Sequence, residues 1–375
     1  MDRKPKTALS FRLALLAGCI LIGVRAEAQQ YKQTNLVSDE SGLATISDSH
    51  LVNPWGLSRS STSPWWVSNN GTGTSTLYNG TTGAPTSLVV TVPSASGADS
   101  GVPTGTVFNG TTAFELSPGN AARFLFATED GTISGWNPAV NPTTAVIMVK
   151  SPGAVYKGMA IASRDGAYFL YVTNFAKGRI EVFDAGFHRV SLGGIGHMGD
   201  DFREGDRFRD ERLPRGFSPF NVQNIGGDLY VTFAEKNPDT NDDVAGPGLG
   251  YVDVFSPSGQ LLRRFEHGPW LNSPWGLALA PGDFGSFSHN LLVGQFGSGE
   301  VAAYDLASGR FLGRMLDTGG HTLTIDGLWA LSFGNGANAG PLNALFFTAG
   351  IEDEAHGLFG TLTAVPTEQV LGNGK

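Results

Sequence analysis

The stretch "NSPWGLALA" at residues 272–280 decides the fold, because "VNPWGLSRS" at residues 52–60 says nearly the same thing 220 residues earlier. An aromatic held between proline and glycine at two distant places points to a repeated unit, and a search in the same register finds more. The copies are "NPWGLS" (53–58), "VPTGTVF" (102–108), "YKGMAIA" (156–162), "SPFNVQN" (218–224), "SPWGLAL" (273–279) and "IDGLWALSF" (325–333). Aligning the residue before the glycine, or before Asn221 in the fourth copy, selects Trp55, Thr104, Lys157, Phe220, Trp275 and Asp326, at spacings of 49, 53, 63, 55 and 51 residues.

Each copy is followed by similar material. A second run comes next ("PWWVSNN", "RFLFATED", "YFLYVTNF", "DLYVTFAE", "NLLVGQF", "ALFFTAG"), then a glycine-containing turn and a third run such as "GRIEVFD" or "GYVDVF". The first five units add a fourth run: "SLVVTVP", "TAVIMVK", "HRVSL", "QLLRRFE" and "RFLGRML". Short β-rich runs with Asn-Gly, Asp-Gly and Ser-Gly turns are what hairpin-linked strands require. Four strands repeated six times predict an all-β chain, a six-bladed β-propeller of four-stranded blades. The sixth unit lacks a fourth run. The otherwise unassigned "YKQTNLVSD" (31–39) is expected to supply it and close the ring.

Composition agrees with strands and tight turns: 52 glycines and 20 prolines accompany plentiful aromatic and β-branched residues, and no long 3.6-residue stripe follows residue 28. Residues 1–28 read as a signal peptide: a basic start, the apolar run "LALLAGCILIGV" and the small-residue site "AEA". The expected organisation is therefore a signal peptide (1–28), a propeller (29–365) and a tail (366–375), in an exported, periplasmic or extracellular protein. "LAGC" at 16–19 offers the competing reading of a lipoprotein anchored through Cys19, but the apolar run continues past it. Cys19 is the only cysteine, so cleavage after Ala28 would leave no disulfide, thiolate metal site or cysteine nucleophile. It would also leave 20 basic against 32 acidic residues, a net charge of −12 that argues against nucleic acid or anionic membrane as partner. A monomer without a membrane span is expected.

The repeat "KGRIEVFDAGF" resembles those of NHL-type propellers. With "NPWGLS", "ATEDGTISGW", "DDVAGPG", "SPWGLALAP" and "DEAHGLFG", the chain after residue 28 resembles a family of exported bacterial propellers without an assigned role, and more distantly the gluconolactonase-like propellers. The resemblance implies that Trp55, Thr104, Lys157, Phe220, Trp275 and Asp326 ring one mouth of the central channel, with Lys157 and Asp326 on opposite blades. Such a ring suits a small amphipathic molecule or glycan, with aromatic faces for stacking and two charges for orientation. A protein partner on the loops is the other binding expectation. A lactonase-like site would instead hold Ca²⁺ or another divalent cation on Asn53, Asn221 and Asp326, as a metal-dependent hydrolase or lyase.

Other motifs carry less. "DTNDD" (239–243) lacks the glycine and distant glutamate of a calcium loop, and "IEDEAHG" (351–357) reads as a charged hairpin tip. "GGIGHMG" (193–199) is followed by a charged run and not by an apolar helix, which excludes a phosphate-binding loop.

Overall fold

The computed structural model describes Met1 and residues 29–97, 99–191 and 207–366. The expected signal peptide with Cys19, the glycine-rich stretch 193–199 and the tail beyond residue 366 lie outside the described residues. The chain forms six antiparallel blades around one axis, as the repeats predict. Their innermost strands are Pro54–Ser58, Pro103–Phe108, Tyr156–Arg164, Phe217–Ile225, Pro274–Leu279 and Leu328–Phe333. In the first blade, Trp65–Asn69, Thr74–Tyr78 and Pro85–Thr91 follow outward in chain order, and blades two to five repeat this layout.

The sixth blade is shared between the two ends of the propeller. Leu328–Phe333, Leu345–Ala349 and Leu358–Ala364 form its inner three strands, and Tyr31–Ser38 pairs antiparallel with Leu358–Ala364 as the outermost full strand. A two-residue strand, Ile46–Ser47, then runs parallel along the remaining edge. The N-terminal strand therefore closes the ring as expected.

Period-two alternation explains how the blades stack. In the first blade Trp65 and Val67 face the sixth blade, in a cluster with Leu36, Val37, Phe346 and Phe359. Trp66 points the other way, against Phe124, Phe126 and Trp136 of the second blade. The remaining neighbours share clusters of the same kind, so that the second strand of each blade buries both faces while the outermost strands stay partly exposed. This is why the second-strand runs are nearly continuously apolar.

The repeated motif is a bulge. Every innermost strand loses register with its neighbour at the motif: Pro54 pairs with Asn69 and Leu57 with Val67, and Pro274 pairs with Gln295 and Leu277 with Val293. The other four inner strands shift at the matching place. One extra residue turns the side chain after the proline toward the axis, and the following glycine lets the next blade approach. A Cβ on Gly276 would lie 2.7 Å from the Trp329 carbonyl oxygen. Gly276→Ala is accordingly expected to cost about 1–3 kcal/mol in equilibrium unfolding. In the fourth blade Asn221 takes the glycine's place, and its amide crosses to the Trp275 carbonyl at 2.7 Å.

Candidate functional site

At the axis the structure brings together five of the six expected residues. Trp55, Thr104, Lys157, Phe220 and Trp275 are all at most 4% exposed. The sixth place belongs to Trp329 and not to Asp326. Leu328-Trp329-Ala330 occupies the bulge that Pro54-Trp55-Gly56 occupies in the first blade. Gly327, with φ +59°, corresponds to Asn53 (φ +45°) and Ser273 (φ +47°), the left-handed residues that lead into the strand. "DG" in "IDGLW" therefore marks the entry to the strand, and the alignment on its glycine is three residues early.

The aromatic side chains fill the axis. Trp55 stacks on Trp329 with ring centroids 3.4 Å apart, and Phe296 stacks on the other face of Trp329 at 3.9 Å. Trp275 meets both Trp55 and Trp329 edge-on, and Phe220 lies against Trp55, Trp329 and Phe175. These rings seal the channel and do not line an open mouth. On the far side of the plug, the inner strands line a partly open cavity of about 270 Å³ bordered in part by Ser58, Thr106, Asn221 and Ser332.

Lys157 leads from the plug to a charged rim. Its ammonium lies 4.6 Å above the Trp55 ring, 2.5 Å from Glu129 Oε1 and 3.7 Å from Asp242 Oδ1. Burial opposes its charge, but the Glu129 carboxylate, and then Asp242 and Asp243, outweigh this and hold Lys157 above the ordinary lysine value. Asp242 and Asp243 come from the polar stretch "KNPDTNDDVAGPG" (236–248), an extension within the fourth blade that brings both carboxylates to Lys157. One oxygen of Asp243 is buried without a hydrogen-bond partner, and burial pushes the Asp243 carboxyl above its usual range.

The sixth blade contributes Glu354 from the loop "IEDEAHG", which is not a free hairpin tip. Glu352, Asp353 and Glu354 are three consecutive left-handed residues, at φ +55°, +53° and +66°. Each costs about 1–2 kcal/mol for an L side chain, so the loop holds its shape only through its contacts. Asp326 supplies one: its carboxylate accepts the Glu352 backbone N–H at 2.8 Å. Glu354 then accepts a hydrogen bond from Asn53 Nδ2 at 2.7 Å, while Trp329 Nε1 donates to Asn53 Oδ1 at 3.2 Å. Burial raises the Glu354 carboxyl; Asn53 and Lys157 oppose this, and Glu129 and Asp243 add to it.

The metal set expected from sequence is thus dispersed into other work. Asn53 links Trp329 to Glu354, Asn221 bridges to the fifth blade, and Asp326 anchors the Glu352 loop. Glu129, Phe175, Phe296 and Asn70 escaped the repeat reading, yet share a signal. Each follows a second strand, and its backbone N–H donates to the residue leading into the motif: Asn70 to Asn53, Glu129 to Val102, Phe175 to Val155, Phe296 to Ser273. Aligning the ends of "SNN", "ATE", "TNF" and "GQF" gives this second ring, and Asn70 Nδ2 donates to Glu129 Oε2 at 2.9 Å within it.

Comparison with known proteins bears on fold and kinship. No family model matches the chain. Among solved structures, a virginiamycin B lyase from Staphylococcus aureus superposes with a TM-score of 0.50 at 11% identity, over 90% of this chain and 100% of that one. A glucose dehydrogenase superposes with a TM-score of 0.53 at 13% identity, over 88% of this chain and 98% of that one. At such identities the likeness concerns the fold alone. Among the described residues, no helix is long and apolar enough to cross a membrane. Two proteins of Acanthamoeba polyphaga mimivirus, both named as uncharacterised, are nearer in sequence. One is 31% identical over 348 residues, spanning 91% of this chain and 82% of its own length. The other is 32% identical over 348 residues, spanning 91% and 87%. The chain belongs to the same propeller family as these mimivirus proteins.

Proposed function

We propose that the protein is an exported binding module whose channel mouth holds a small ligand through a positively charged group. The observation that carries this is the charge at the rim. Glu129, Asp242, Asp243 and Glu354 come from three different blades, and Lys157 is the cation that faces them. The aromatic rings beneath are sealed, so a ligand would meet the carboxylates before any ring. An organic ammonium group supplies donors to acceptor-only carboxylates and relieves their repulsion. The position of Glu354, held by a strained loop, is the kind of arrangement that a ligand site retains at a cost in stability.

Glu354→Gln tests this in two ways. The raised carboxyl keeps its proton to higher pH in the folded protein than in the unfolded chain. Its stabilising contribution is therefore present below the ordinary glutamate value of 4.5 and is lost as pH rises through the raised one. Glu354→Gln removes that loss, and thermal melts at pH 7 should show a higher melting temperature than wild type. Calorimetric titration with a diamine such as putrescine should show binding to wild type and about tenfold weaker binding to Glu354→Gln. Equal affinity in both proteins would overturn the role of the mouth.

A further inference from the structure

We infer a second site, independent of the channel mouth: Asp39, Glu40 and His356 form a binding site for a borderline divalent ion such as Zn²⁺ at the seam where the ring closes. Asp39 and Glu40 directly follow the closing strand Tyr31–Ser38, and His356 lies just before Leu358–Ala364, the strand it pairs with. The three side chains meet only when the N-terminal strand is docked.

Their ligand atoms cluster closely enough to share one ion. The three candidate ligand atoms all lie within 4.8 Å of one another. His356 Nδ1 is 2.8 Å from Asp39 Oδ2 and 3.0 Å from Glu40 Oε1. Adjacent ligands around a tetrahedral ion with bonds of about 2.1 Å stand roughly 3.4 Å apart, so an ion could replace the proton on Nδ1 with small rotamer shifts. Asp39 is already oriented for this, since its other oxygen accepts the Gly357 backbone N–H at 2.7 Å, an outer-shell support of the kind that fixes a ligating carboxylate.

Charge and chemistry point the same way. Two carboxylates face one imidazole, and Glu352 adds to the negative field on His356. With a neutral imidazole the three groups carry two negative charges, which a divalent ion balances. One nitrogen with two carboxylate oxygens favours Zn²⁺ or a similar transition ion over Ca²⁺ and Mg²⁺, which prefer all-oxygen shells. Three protein ligands leave room for water. An ion here would clasp the closing strand to the sixth blade, two residues from Glu354.

The test uses the full chain, stripped with a chelator and titrated with Zn²⁺ in a calorimeter and in thermal melts. One Zn²⁺ per chain and a higher melting temperature are expected, with no comparable rise in Ca²⁺. His356→Ala and Glu40→Gln should each weaken Zn²⁺ binding at least tenfold. The exposed Glu40 makes the second variant safe for folding, and Glu354→Gln should leave Zn²⁺ affinity unchanged, which separates this site from the mouth. Absence of stoichiometric Zn²⁺ binding, or wild-type affinity in both His356→Ala and Glu40→Gln, overturns the site.

Discussion

Deletion of residues 29–40 is expected to lower the melting temperature by about 10 °C, without abolishing β structure. The segment buries Tyr31, Leu36 and Val37, each at most 8% exposed. At about 2 kcal/mol per buried side chain the loss is roughly 6 kcal/mol, a large share of a typical total stability of about 5–15 kcal/mol. Tyr31 does more than fill space: its hydroxyl donates to the Phe284 carbonyl of the fifth blade at 3.1 Å, and its ring stacks on Phe287. Removal also bares the edge of Leu358–Ala364, so aggregation on heating should increase. A synthetic peptide of residues 29–47 added to the truncated protein should restore most of the melting temperature. An unchanged melting temperature after truncation would show that the ring closes without this strand.

Lys157→Met should destabilise the protein by about 3–5 kcal/mol in denaturant unfolding, although methionine fills a similar volume. The substitution leaves Glu129 and Asp243 without the charge that opposes their burial, and removes the cation from the Trp55 face. The cost lies in the abandoned charge more than in the lost contact. Lys157→Met combined with Glu129→Gln should therefore recover much of the stability, with a coupling energy of more than 1 kcal/mol. Additive losses would mean that Lys157 and Glu129 act independently.

The fold was legible because its signals are local and repeated. The bulge favours Pro-x-Gly, which the first, second and fifth blades carry, the interblade faces need alternating large apolar residues, and the turns need glycine, so the copies can be aligned on one another. The closing strand was legible by subtraction, as one alternating segment without a partner beside one blade short of a strand. The site was harder. Trp329 was missed because Gly327 satisfies a left-handed backbone while the bulge glycine of that blade is replaced by Ala330. A glycine read without its φ serves two roles equally well. Glu129 lies inside the second run but one residue beyond the strand it forms, Phe124–Thr128, and is singled out only by an alignment of strand ends. Asp242 and Glu354 lie on an extension and a loop whose paths follow from tertiary contacts, such as Asp326 with the Glu352 N–H, and no repeat register encodes them. The axial aromatics Trp55 and Trp275 form a plug and not the ligand platform expected of them.

The seam also has a mechanical side. Gln29 Nε2 meets the Val365 carbonyl at 2.6 Å, and Val365 N–H donates to Gln30 at 2.9 Å, so both ends of the propeller leave from the same end of one strand pair. Tension applied to the two ends would load the pairs singly, Tyr31 with Ala364 first, and peel the strands apart. Five blades are continuous hairpins that such a pull does not reach directly. The ring would open under tension as a zipper does, at low force and from one place, and an ion at Asp39 and His356 would sit as the catch at the far end of its travel.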